Sequence, residues 1–306
     1  VAFGLSLCYR PATMSSFDPS PSSGSSSSGA GASFAAGHSS ASSASASSPS
    51  SASSGRLVQP KYARLSLADQ GALLRSIVQR SEAKAGESPP VVVFDLDGTL
   101  MDNRPRTCAI LHELAEAWRA KEPALAERLA RVAPDDLDYL LTTSLERMGI
   151  LRSDLVGEAE TYWRARFFVD DYLEHDIALE GAVAFARAVY DAGATCMYLT
   201  GRDLPLMGIG SFRSLRDLGF PIGVPGTELV LKPDAAMPDE AFKRYEAPRI
   251  ARVGRVVAAF DNEPANCNVF AQAYPDADVV LLDTQHLPGA PSPLASVKVV
   301  ADFRMP

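Results

Sequence analysis

Cysteine and histidine are scarce, four of each in 306 residues. Cys8, Cys108, Cys196 and Cys267 are scattered without metal-ligand spacing. Cys196 and Cys267 sit in apolar surroundings, so buried free thiols in a reducing, cytoplasmic compartment are expected rather than a disulfide framework. His112, His175 and His286 lie far apart in the chain, which disfavours a zinc site. No apolar stretch approaches the ~18 residues a membrane span needs, so no membrane partner is expected. Positive charge is not in excess: the net charge is −8 and the isoelectric point about 5.1. The chain therefore offers no general basic field for nucleic acid or an anionic bilayer.

Residues 1–13 (VAFGLSLCYRPAT) have no basic residues ahead of a short apolar run, which argues against a signal peptide. Leu7 before Cys8 also suits a lipoprotein cleavage site badly. Val1 reads as a non-AUG start taken literally, with Met14 as the alternative true start. Residues 15–55 are almost entirely Ser, Ala, Gly and Pro. Such a composition cannot bury enough apolar surface to offset its ordering entropy, so residues 1–59 are expected to be a disordered tail.

What is present begins at residues 91–100, VVVFDLDGTL. Val91, Val92, Val93 and Phe94 form a short β-branched and aromatic run that suits a strand buried on both faces. It ends in Asp95 and Asp97, whose i, i+2 spacing puts both acids on one side of an extended chain, roughly 6–7 Å apart. A phosphoryl group fits that gap. Gly98 permits a turn with positive φ, and Thr99 adds a hydroxyl.

The same pattern recurs twice. Residues 195–199 (TCMYL) form a strand that ends in Thr200-Gly201-Arg202, and residues 255–260 (RVVAAF) form another that ends in Asp261-Asn262-Glu263. In a parallel sheet the strands' carboxyl ends collect ligands. Two lysines are candidates for neutralising a bound anion. Lys232 ends the strand 228–231, and Lys243 lies on a helix over 239–250 that leads into the strand of Asp261. Ser66 caps a helix that presents Leu67, Leu74, Ile77 and Val78 on one face. Helical periodicity without strand alternation fills residues 107–119, 135–149 and 153–168. Asp95 and Thr200 are so far apart that there is room for an inserted helical unit between about 104 and 176. Arg104 and Arg106 are poised either to reach an anionic substrate or to sit in solvent. Tyr162, Trp163, Arg164 and Arg166 could contribute substrate contacts, although aromatics at helical spacing more often belong to a core.

Asp95-Leu96-Asp97-Gly98-Thr99-Leu100 resembles the first motif of the haloacid dehalogenase-like (HAD) superfamily in its phosphatase form. Residues 198–202 resemble its second motif, a helix lysine its third and Asp261 onwards its fourth, over about residues 91–282. The resemblance implies a three-layer, doubly wound, mostly parallel α/β sheet (residues 60–103 and 177–306). Residues 104–176 would form a mobile helical cap of the C1 type. It also implies a Mg²⁺-dependent phosphomonoester hydrolase in which Asp95 is the nucleophile and Asp97 the acid–base. Thr200, Gly201 and Lys243 would hold the phosphate, with Lys243 preferred and Lys232 secondary. Asp95, the backbone carbonyl of Asp97 and Asp261 would bind the metal. Asn262 stands where a second acid is commoner, so whether Asn262, Glu263 or Asn266 completes the metal site is left open. Asp97 separates this pattern from dehalogenases, which lack the second acid. A phosphomutase, a nucleic-acid 3′-phosphatase and a non-catalytic HAD-like binding domain are the alternatives, and the acidic balance weighs against nucleic acid. The expected partner is a small phosphorylated metabolite. Its identity, and the oligomeric state, are not written in any motif.

Overall fold

The computed structural model describes residues 62–306. The expected tail, Cys8 and the choice between Val1 and Met14 lie outside the described residues. After α1 (Leu67–Arg80) the chain enters β1 (Pro90–Phe94), and a short strand β2 (Met101–Asp102) leads into a helical insert. The insert holds α2 (Arg104–Trp118), α3 (Pro123–Leu129), α4 (Leu141–Arg147) and α5 (Ser153–Phe167). Strand β3 (Ile177–Ala178) closes it by pairing antiparallel with β2. There follow α6 (Ala182–Asp191), β4 (Thr195–Asp203), α7 (Leu204–Leu218), β5 (Thr227–Lys232) and α8 (Asp239–Ile250). The chain ends with β6 (Arg255–Asp261), α9 (Pro264–Ala273), β7 (Asp278–Leu282) and β8 (Lys298–Val300).

Six strands pair in parallel in the order β5-β4-β1-β6-β7-β8. The fold is a three-layer, doubly wound α/β sheet. β1 and most of β6 and β7 are buried on both faces, the property for which their near-continuous apolar composition is suited. Successive side chains of β1 go to opposite layers. Val92 and Phe94 join a cluster with Leu74 and Ile77 of α1, Phe185 and Val189 of α6 and Leu215 of α7. Val91 and Val93 join Phe242 and Ile250 of α8 and Phe270 of α9. Phe94 stacks on Phe260 at 5.3 Å between ring centroids and meets Phe185 edge-on. Each such side chain stabilises the fold by about 1.5–3 kcal/mol relative to exposure.

The Ser66 cap is present, its hydroxyl accepting from the Asp69 N–H. Leu67, expected on the buried face, is 45% exposed, while Leu74 and Ile77 are fully buried. Cys108, Cys196 and Cys267 are free and buried, and burial pushes the Cys108 thiol up to about 11 and that of Cys196 to about 12. Among the described residues no helix is long and apolar enough to cross a membrane.

The insert has a core of its own, built around Leu111, Leu114, Trp118, Leu129, Leu145 and Leu155. Its middle differs from the helix expected over 135–149. A 3₁₀ turn at Pro134–Asp136 precedes the shorter α4. The Ser144 hydroxyl accepts from the Asp138 N–H at 2.9 Å and donates to the Leu140 carbonyl, so a side chain satisfies backbone groups that a longer helix would use itself. Tyr139 and Leu140 are left exposed in the bend.

Candidate active site

Strand order positions the site. β4 and β6 flank β1, so the carboxyl ends that carry Thr200, Asp95 and Asp261 lie side by side. The Asp95 N–H donates to the Phe260 carbonyl at 3.0 Å, which continues the β1–β6 ladder one residue past the strand. The chain then turns sharply. The Leu96 carbonyl accepts from the N–H groups of Thr99, Leu100 and Met101. Gly98 occupies this turn with φ +75°, and a Cβ there would collide with the Asn262 amide. Both the backbone conformation and the close approach require glycine.

Lys243 draws the acids together. Its Nζ lies 2.7 Å from Asp95 Oδ1 and 2.6 Å from Asp261 Oδ2, and all three side chains are at most 7% exposed. Burial acts to strip the Lys243 proton, but Asp261 and Asp95 outweigh it and hold its pKa above the ordinary lysine value. The Thr99 hydroxyl donates to Asp95 Oδ2 at 3.0 Å. The other oxygen of Asp261 accepts from the Glu263 N–H and the Asn266 amide. Burial, helped by repulsion from Asp261 and Asp97, overcomes Lys243 and pushes the Asp95 carboxyl up to about 7. Thr200 is fully buried next door, its hydroxyl accepting from the Arg202 N–H at 3.2 Å. A Cβ on Gly201 would strike the Asp239 carboxylate.

Lys232 is placed differently. Its Nζ donates to the Asp239 carboxylate at 2.7 Å and the Met237 carbonyl at 3.1 Å, not to the central acids. Lys232 is buried but Asp239 is more than half exposed, so solvent screens the pair and its worth is modest, about 0–1 kcal/mol. Lys232→Met should therefore shift the melting temperature by less than about 4 °C and keep most of any turnover. A loss as deep as that from replacing Lys243 would show that Lys232 is the residue on the reacting group.

Asp97 belongs to a second charge cluster. Arg202 donates from Nε to Asp97 Oδ2 at 2.7 Å and from Nη2 to Oδ1 at 2.9 Å. Arg106 Nη2 adds a bond to Oδ1 at 2.9 Å. Burial pushes the Asp97 carboxyl up, yet the two guanidiniums together with the Asn103 amide outweigh it and hold the group well below the usual carboxylate range. Arg106 is thus neither solvated nor free for a substrate, and Arg104 is paired with Asp102 and Asp135. On the insert, the Trp163 indole donates to Thr107, while Arg166 pairs with Glu113 and stacks on Tyr162, so these side chains tie helices to one another.

Two contributors had no local signal. Asp176, 3% exposed, lies beneath both arginines. Tyr139, in the bend before α4, lies close enough to Glu263, Asp239 and Asp95 for their charges to help raise its pKa. Burial pushes Glu263 up to about 7, against the Leu287 N–H and the Tyr139 hydroxyl that favour its ionised form. The Gln285 amide donates to the Leu137 carbonyl of the insert at 2.6 Å, and Thr284 to the Gly98 carbonyl at 2.6 Å. The segment after β7 therefore links the turn below to the insert above.

Among the described residues no three His, Cys, Asp or Glu side chains form a metal-holding group. The donors around Asp95 are the Asp261 carboxylate, the Asn262 amide oxygen and the Thr99 hydroxyl, with Thr99 Oγ1 3.3 Å from Asn262 Oδ1. An all-oxygen set with two carboxylates fits Mg²⁺, which takes few protein ligands and keeps water and substrate oxygens. It does not fit Zn²⁺, which seeks nitrogen or sulfur.

No family model and no curated protein matches the chain. Solved structures resemble it at low identity. Protein tyrosine kinase A from Mycobacterium tuberculosis is 19% identical, with a TM-score of 0.44 over 71% of this chain and 95% of that one. A predicted phosphatase from Clostridium acetobutylicum is 15% identical, with a TM-score of 0.41 over 71% and 95%. A haloacid dehalogenase-like family hydrolase from Streptococcus pneumoniae is 12% identical, with a TM-score of 0.38 over 69% and 93%. At such values no activity carries across.

Proposed function

We propose that the protein is a HAD-type, Mg²⁺-dependent phosphomonoester hydrolase that works through an aspartyl phosphate on Asp95. The observation that carries this reading is the Lys243 bridge, which joins acids from two adjacent strand ends beside the Thr200 hydroxyl. Asp95 is the nucleophile: among the described residues its Oδ2 bonds only to a hydroxyl, whereas Oδ1 is held by Lys243. Thr200 orients the phosphoryl oxygens, and Lys243 offsets their charge. Asp97 sits across the same cleft to exchange a proton with the leaving oxygen and then with water, which requires one of its guanidinium contacts to give way to substrate. Asp95, Asp261, the Asp97 carbonyl and Asn262 would hold Mg²⁺, which when bound offsets repulsion between the carboxylates and a phosphate dianion. The substrate is a small phosphorylated metabolite.

The full chain should hydrolyse p-nitrophenyl phosphate with Mg²⁺, and EDTA should lower the rate by about 100-fold or more, the several kcal/mol such an ion supplies. Equal rates in Mg²⁺ and EDTA would remove the metal from this reading. A folded protein without turnover on this ester or a panel of phosphometabolites would favour the binding-domain alternative.

A further inference from the structure

Four charged groups close into a ring beneath the cleft. Arg106 Nη2 donates to Asp97 Oδ1 at 2.9 Å and to Asp176 Oδ2 at 2.6 Å. Arg202 Nη2 donates to the same two oxygens, at 2.9 and 2.7 Å. Arg106 Nε binds the second oxygen of Asp176 at 2.9 Å, and Arg202 Nε binds the second oxygen of Asp97 at 2.7 Å. The side chains of Arg106, Arg202 and Asp176 are at most 1% exposed, while that of Asp97 is 29% exposed. The ring thus has one open member, Asp97, in the same turn as Asp95.

Its connectivity is informative. Asp97 belongs to the turn after β1, and Arg202 to the end of β4. Arg106 stands at the start of α2, just after the chain passes into the insert, and Asp176 directly precedes β3, where it returns. Both crossings between sheet and insert therefore bond to Asp97, directly or through Arg202. A buried ion network of this kind adds little stability over apolar groups of equal volume. What paired planar forks do supply is a fixed angle and distance. Phe167 reinforces it: its ring lies 4.3 Å from the Arg106 guanidinium, and its carbonyl accepts from Arg106 Nη1.

We propose that Arg106 and Asp176 are positioning residues, which set the Asp97 carboxylate against the Asp95 cleft and make its placement depend on the hinge of the helical insert. The proposal rests on the phosphatase reading above. Neither residue reaches the reacting atoms. A shift of about 1 Å in a catalytic group can lower a rate by about 100-fold, so a hinge residue well behind the cleft can govern turnover.

The test is a double-mutant cycle on the full chain with p-nitrophenyl phosphate and Mg²⁺, using Asp176→Asn, Asp97→Asn and the pair. Asp176→Asn alone should lower kcat by about 10- to 100-fold with KM within about threefold of wild type. In the Asp97→Asn background the same change should cost less than about threefold, because the group it positions is gone. Equal losses in the two backgrounds would make Asp176 a merely structural residue and overturn the proposal. Arg106→Lys, which keeps the charge but loses the fork, covers the case in which Asp176→Asn fails to fold, and should show the same non-additivity. A folded wild type with no turnover overturns the phosphatase reading and this proposal together. Turnover with additive losses overturns this proposal alone.

Discussion

If Asp95 attacks phosphorus as proposed, Asp95→Asn should lower kcat by about 10⁴-fold or more and leave the protein folded, because it deletes the nucleophile. Asparagine nearly matches aspartate in shape. Its amide oxygen can accept from Lys243 as Asp95 Oδ1 does, and its NH₂ can donate to the Thr99 hydroxyl, which then acts as acceptor. The substitution also has a signed effect on stability. The Asp95 pKa in the folded chain is raised from 3.8 to about 7, mainly by burial. The stability associated with its neutral form is complete below the unfolded value and is lost as pH rises through about 7. Asparagine is neutral throughout, so in EDTA at pH 8 the variant should melt no lower than wild type, and at pH 5 the difference should shrink. Rates and melting curves on the same samples decide the matter. Residual turnover within about tenfold of wild type would mean that Asp95 does not attack phosphorus.

How much of this was legible in the sequence depends on how local each signal was. Asp95, Thr200 and Asp261 each end a run of apolar residues, and a parallel sheet brings such ends to one edge. Their meeting in space thus follows from strand order alone. Lys243 was harder, since two lysines lay at reasonable distances. Both are buried, and the structure distinguishes them by partner: Lys243 bridges the central acids, and Lys232 pairs with an exposed one. Asp97 was visible as an acid, but its partners were not. Arg106 and Asp176 are 70 residues apart, and Arg202 is 105 residues from Asp97. No periodicity encodes contacts over such separations, and each is an ordinary charged residue among its neighbours. Tyr139 was hidden by the helical spacing of Leu137, Leu140 and Leu141. That spacing predicts a helix where Ser144 instead captures a backbone N–H and leaves a bend. The short α3 carries too few turns for its period to stand out.

Lys243→Met should be strongly destabilising. The ammonium is the shared partner of two carboxylates whose side chains are 7% and 0% exposed. Methionine fills comparable volume with no charge, leaving two buried acids whose oxygens both lay within bonding distance of one nitrogen. Removing one partner of a buried ion pair costs about 3–5 kcal/mol. For a chain of this size that corresponds to a fall of roughly 10 °C in melting temperature, at about 2–4 °C per kcal/mol. The loss must depend on pH. Without Lys243 the repulsion between Asp95 and Asp261 is uncompensated, so the folded-state pKa of Asp95 moves further above its unfolded value. The deficit should therefore be small at pH 5, where Asp95 can hold its proton, and should widen as pH rises to 8. Mg²⁺ gives an independent reading. If Asp95 and Asp261 hold a cation, millimolar Mg²⁺ at pH 8 should restore part of the lost melting temperature by binding the folded chain alone, yet leave turnover low if Lys243 holds the phosphate as proposed. A variant that melted with wild type at pH 8 would show that the two acids are not jointly charged in the folded protein, and the bridge would lose its place at the centre of the site.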